Sequence, residues 1–209
     1  MKEVWRKGLV VAGVALAAGG GYLASRVAHK GPHDAPVTSV QAATVVQSDK
    51  ALPAFSLEGP AGAFSNAQLM GKWTFAFFGY THCPDVCPTA LSLMRDVRAR
   101  LAGSGVALPQ VIFISVDPGR DSRALLNEYV PAFDPSFVGL RGSDEAIAPL
   151  VKALGVFYER HEKDDPRNYT VDHSAAMYLI DPQGRLAAVF MPPVTPEVMA
   201  RDYRAIASR

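Results

Sequence analysis

The alternation of apolar and polar positions divides the chain into three stretches. An uncharged run from Gly8 to Ala24 comes first. At ~1.5 Å per residue it reaches about 25 Å as a helix, near the short end for crossing a hydrocarbon core of ~30 Å. Residues His29 to Lys50 are rich in Ala, Val, Pro, Ser and Gln without clear period, the composition of a tether. Regular patterning begins beyond it. Leu52 to Leu57 and Ala63 to Ser65 flank a Glu-Gly-Pro-Ala-Gly turn, predicting a hairpin or loop before the main sheet. Thr74 to Tyr80 and Val111 to Val116 are continuous apolar runs, the signature of strands buried on both faces. Between them Ala90, Leu91, Leu93, Met94, Val97 and Leu101 recur at helical spacing.

The second half alternates in the same way. Asp121 and Ser122 are candidate caps for a helix through Tyr129, before Pro131. Phe137 to Leu140 reads as a short strand. Ser143 caps a helix to Leu154, with Asp144 and Glu145 in its first turn and Gly155 beyond its end. Val156 to Arg160 and Ala175 to Ile180 are further strands, and Asp181-Pro182-Gln183-Gly184 turns the latter into an antiparallel partner, Arg185 to Phe190. Thr195-Pro196-Glu197 opens a last helix, with proline where its missing N–H costs nothing. The succession predicts an α/β fold, a mixed sheet flanked by helices, with chemistry at the carboxyl ends of its strands.

The organisation that follows is a membrane anchor, or an uncleaved signal segment, over 1–27, a tether over 28–50 and one domain over 51–209. A cleaved signal peptide is the rival for the first stretch, with Ala17-Ala18-Gly19 as its small-residue site. Either exports the domain. Only seven residues precede the apolar run, leaving no room for an organelle transit peptide. A bacterial inner-membrane protein, single-pass with its domain in the periplasm, is therefore expected, its cytoplasmic N-terminus weakly favoured by Lys2, Arg6 and Lys7. Charge changes the picture by exclusion: with 21 Lys+Arg against 20 Asp+Glu, no nucleic-acid footprint is expected. Two cysteines rule out a disulfide scaffold and a four-thiolate zinc site.

Both cysteines lie in Tyr80-Thr81-His82-Cys83-Pro84-Asp85-Val86-Cys87-Pro88, at the first strand-to-helix switch. On a helical turn their Cβ atoms sit ~5–6 Å apart, wider than the ~3.8 Å of a relaxed disulfide. A metal ion between two thiolates relaxes that demand. The helix start favours thiolate, whereas Asp85 opposes it and Pro88 disturbs the turn. A purely structural disulfide is the bland alternative. Among the histidines, His29, His33 and His161 read as solvated bystanders, and His82 as a tuning neighbour. His173, in Val171-Asp172-His173-Ser174 directly before an apolar strand, is held at a strand edge and is the candidate third ligand.

The Cys-Pro-Asp-Val-Cys-Pro element, Ser115-Val116-Asp117-Pro118 with Arg120-Asp121, and the distant Val171-Asp172-His173-Ser174 with Tyr178-Leu179-Ile180-Asp181-Pro182 together resemble the Sco/SenC family. The likeness covers about Phe55 to the last helix. It implies a thioredoxin-like sheet, membrane anchoring, and copper, Cu(I) or Cu(II), bound by Cys83, Cys87 and His173. Asp117 and Asp172 become candidates to support the ligands, with solvated turn carboxylates the equal alternative. The implied role is delivery of copper to, or preparation of the thiols of, the binuclear copper centre of cytochrome c oxidase. Its partners would be the copper-bearing oxidase subunit and a copper donor protein. The alternative is a thiol–disulfide oxidoreductase using Cys83 and Cys87 as a redox pair without metal transfer. Three residues between the cysteines, not two, and His173 where thioredoxins carry proline, set the chain apart from a general reductase. A peroxiredoxin would want Thr-x-x-Cys, and Thr81 is only two residues before Cys83.

Overall fold

The computed structural model describes residues 40–161 and 169–208. The predicted anchor and the first part of the tether lie outside these residues, and among the described ones no helix is long and apolar enough to cross a membrane. A six-stranded mixed sheet forms the centre, in the order β1(Ala43–Val45), β10(Leu186–Phe190), β9(Met177–Ile180), β4(Thr74–Gly79), β5(Gln110–Ser115), β6(Val138–Leu140). β4, β5 and β6 run parallel; β9 is antiparallel to β4, and β10 and β1 continue the antiparallel side. The direction of neighbouring strands thus changes at β4, where the carboxyl end of a strand opens toward the site. Two hairpins stand apart from this sheet: β2(Ser56–Gly59) with β3(Gly62–Ser65), and β7(Tyr158–His161) with β8(Thr170–His173).

Every residue of β4 is buried, as an apolar run of that length requires. Of the four helices described, α1(Val86–Leu101) and α4(Pro196–Ala207) pack against one another. Tyr203 of α4 meets the rings of Phe75 and Trp73, and Phe75 also meets Phe190. Ser122 and Ser143 cap α2(Arg123–Tyr129) and α3(Asp144–Leu154) by accepting from the N–H groups of Leu125 and Ala146, and Thr195 does the same for α4 through Val198. Gly155 ends α3 in the left-handed conformation, at φ 65°.

Three expectations need correction. Asp121 is no cap; its carboxylate is fully buried and engaged elsewhere. The strand expected at Val156 to Arg160 begins at Tyr158 and lies outside the main sheet, in the β7–β8 hairpin; its partner Thr170–His173 is too short and polar to register as a strand by pattern. The chain also joins the sheet before residue 51. β1 pairs with β10, and the buried Asp202 carboxylate of α4 accepts the N–H groups of Gln41, Ala42 and Ala43 at 2.7–2.9 Å. A charged residue on an amphipathic helix reads as solvent-facing, so nothing in the pattern announces this anchor point.

Candidate metal centre

Cys83 sits in the turn that leaves β4, its N–H donated to the Tyr80 carbonyl at 3.3 Å, and α1 starts three residues later. It is therefore not on the helix, contrary to the simplest reading of the spacing. Cys87 is in the first turn and fully buried, and its N–H donates to Cys83 Sγ at 3.4 Å. Pro88 follows within that first turn, where no intrahelical donor is lost, so it disturbs nothing. Gly79 closes β4 beneath the thiol. A Cβ there would stand 2.6 Å from Cys87 Sγ and 2.9 Å from the Phe113 ring, so only glycine lets this sulfur lie on the strand end.

The β7–β8 hairpin brings in the third donor. His173, the last residue of β8, pairs with Tyr158 in register, and its Nε2 lies 3.4 Å from Cys87 Sγ. The rings of Phe77 and Tyr80 both meet the imidazole edge-on, with centroids 5.8 Å away, while Nδ1 faces the Ser174 carbonyl at 3.1 Å. One donor atom from each of Cys83, Cys87 and His173 falls within 4.8 Å of the others. An ion bonded at ~2.3 Å to sulfur and ~2.0 Å to nitrogen in a plane would hold such donors about 3.7–4 Å apart. Small side-chain movements close that difference, so two sulfurs and one imidazole fit a soft metal ion. Both cysteines are free thiols.

The two thiols are electrostatically unequal. The hydrogen bond from Cys87 pulls the Cys83 thiol down to about 4, against the cost of burial and with help from backbone N–H groups and His173. The same hydrogen bond, then burial, pushes Cys87 up. Opposite directions on two partners describe one proton shared between two sulfurs, held on the buried Cys87 and leaving the half-buried Cys83 as thiolate. The expected opposition from Asp85 is outweighed, since its own N–H supports the Cys83 thiolate.

The remaining candidates separate cleanly. His82 Nδ1 faces the Thr81 hydroxyl at 3.0 Å and stands 3.8 Å from Asp121, outside the donor cluster. His161 is not a free bystander: it contacts Asp172 at 2.7 Å, and the exposed Asp172 carboxylate is outside the donor cluster. Asp117 is buried and accepts from Arg120 and Tyr169, both at 2.5 Å. Asp121 accepts from the Thr81 N–H and hydroxyl and from Ser115, and burial raises its pKa. It fixes the turn before Cys83. The parts that sequence reasoning missed are Gly79, Phe77 and Tyr80. Period-two alternation puts 77 and 79 on one face of β4, and only the helix packing tells that this face carries the thiol.

Comparison with known proteins places this geometry. The SCO1/SenC family model matches residues 44–208. The mitochondrial SCO2 homolog of Bos taurus is 39% identical over 179 residues, covering 84% of this chain and 65% of that protein, so the chain spans just under two thirds of its length. Among solved structures, Bradyrhizobium japonicum ScoI with copper bound is 39% identical at a TM-score of 0.66, covering 75% of this chain and 99% of that one. Arabidopsis thaliana ScoI with copper bound is 33% identical at 0.70, covering 77% and 100%. The family match runs from within β1 to just past the end of α4 and so takes in nearly all of the described fold; the chain belongs to the SCO1/SenC family.

Proposed function

We propose that this protein is a membrane-anchored copper carrier that delivers copper to, or prepares the thiols of, the binuclear copper centre of cytochrome c oxidase. The observation that carries the reading is the convergence of Cys83, Cys87 and His173 within 4.8 Å, in a family whose Bradyrhizobium and Arabidopsis members bind copper. Two thiolates suit Cu(I), and the imidazole adds a donor that accepts either oxidation state. Cys83, half-buried and already ionised, is the sulfur that meets incoming cargo. Cys87 closes the site from below and must give up its proton as the metal binds, so acid opposes loading. Three donors leave coordination open at the surface, which lets a partner's thiol displace them stepwise. The uncharged run Gly8 to Ala24 supports an inner-membrane anchor with the domain in the periplasm, facing a copper donor protein on one side and the oxidase subunit on the other.

Anaerobic copper titration of the reduced full-length protein tests this. One copper per chain is expected, lost in Cys83→Ser and Cys87→Ser variants; a reduced protein that retains no copper refutes the carrier.

The inequality of the thiols favours a second reading, a thiol–disulfide oxidoreductase with Cys83 attacking and Cys87 resolving. The two are compatible in one protein. Under the redox reading alone, His173→Ala retains reductase activity and biological function. Under the carrier reading it keeps thiol chemistry but loses Cu(II) binding. Alkylation of Cys83 in the metal-free protein should stay nearly flat from pH 8 to about 5 and fall only near its pKa of about 4, with Cys87 unreactive.

A further inference from the structure

The hairpin that carries His173 has no strand pairing with the main sheet. Side chains hold it instead. On β7, Arg160 donates to the Val116 carbonyl and to Asp144 at the start of α3, whose carboxylate also takes the Tyr158 hydroxyl. On the β8 side the fastening is built around one guanidinium. Arg120 donates Nε to Asp117 at 2.5 Å and Nη1 to the Tyr169 carbonyl at 2.8 Å, and its Cζ lies over the Tyr169 ring, 3.6 Å from the centroid. The Tyr169 hydroxyl closes the circuit on the other Asp117 oxygen at 2.5 Å. Arg120 also faces the ring of Tyr80 at 5.6 Å, and Tyr80 in turn meets the His173 imidazole edge-on. Asp117 is nearly fully buried and Arg120 has only 12% of its side chain exposed, so both charges are desolvated and directed.

We propose that Arg120, through Asp117 and Tyr169, is the positioning residue that sets the β8 strand so that His173 faces the two thiols, and that it thereby governs the third donor without touching the metal. The clamp on the imidazole follows from the fold alone; its consequence for copper rests on the proposed carrier function. The arrangement has a specific logic. Tyr169 is the residue directly before β8, so fixing both its carbonyl and its ring sets the register of the four residues that end at His173. A planar fork that is held by a carboxylate, donates to a carbonyl and stacks on a ring at once is chemistry lysine cannot reproduce.

Two conservative variants of the full chain test the clamp: Arg120→Lys, which keeps a positive charge beside Asp117, and Tyr169→Phe, which removes one hydroxyl. In the reduced, metal-free protein, hydrogen exchange at Thr170 to His173 should quicken by at least ~10-fold while the amides of β4 and β5 stay as protected as in the wild type. Cu(II) affinity should fall roughly 10–100-fold with Cu(I) affinity much less affected, and the same substitutions placed on His173→Ala should cause no further loss. Unchanged protection of the hairpin amides, or an equal Cu(II) loss with and without His173, overturns the clamp. A wild-type protein that holds no copper would sink the carrier reading, and the exchange result would still decide the clamp.

Discussion

The end of β4 and the open end of the β7–β8 hairpin each supply donors to one site, yet they are built on different principles. The cysteines rest on close packing: Cys87 is sealed against Gly79 and Phe113, and every β4 side chain around it is buried. His173 has the Phe77 and Tyr80 rings and the buried Val171 beside it, but its strand depends in addition on polar fastenings from Arg160, Arg120, Asp117, Asp144 and Tyr169. Packing is short-ranged and cooperative, so that half of the site stands or falls with the domain. Directed polar contacts at a partly exposed hairpin open locally at lower cost. For the carrier proposed above, this division would let the sulfurs hold the metal on a fixed floor while the imidazole leaves first.

Three substitutions or conditions separate the two halves. Phe113→Ala empties a fully buried site that contacts Phe77 and Tyr129 and should cost about 3–5 kcal/mol of global stability in urea titration, with no region spared. A smaller loss confined to the cysteine turn would break the claim that the floor is part of the core. Gly79→Ala forces a methyl against Cys87 Sγ and the Phe113 ring and should cost about 1–3 kcal/mol. It should also spoil thiol geometry, read as weakened copper retention with hairpin exchange rates unchanged. The smallest effect is electrostatic. Arg160 holds the Asp144 carboxyl below its ordinary range. A depressed carboxylate contributes stability above its unfolded pKa of about 3.9 and loses it as pH falls through the lower folded value. Hairpin amide exchange, corrected for its intrinsic pH dependence, should therefore rise below about pH 4 ahead of global unfolding; Asp144→Asn should reproduce the loosening at neutral pH. Because the Asp144 carboxylate is nearly half exposed, at 46%, solvent screens the pair and the effect on overall stability will be slight.

The same division explains what the sequence made legible. Buried strands and capped helices declare themselves through period and cap residues, so β4, β5 and α3 can be placed to within a residue or two, and α1 and α4 are recognised by apolar period and by cap. The cysteine spacing and the isolated His173 motif nominated the donors because their chemistry is rare in this chain. The clamp was illegible for the opposite reason. Arg120, Asp117 and Tyr169 are common residue types far apart in sequence, joined only when two loops meet, and β8 is four residues of mixed polarity that no periodicity marks. Asp202 was hidden likewise, its partners being main-chain groups with no identity of their own.

That buried carboxylate has a mechanical consequence. By collecting three successive N–H groups at residues 41–43, it makes the chain depart from the folded body at a defined point. A pull on the chain from the N-terminal side is therefore taken up by α4 and by the β1–β10 ladder, on the antiparallel side of the sheet, and not by the turn that carries Cys83.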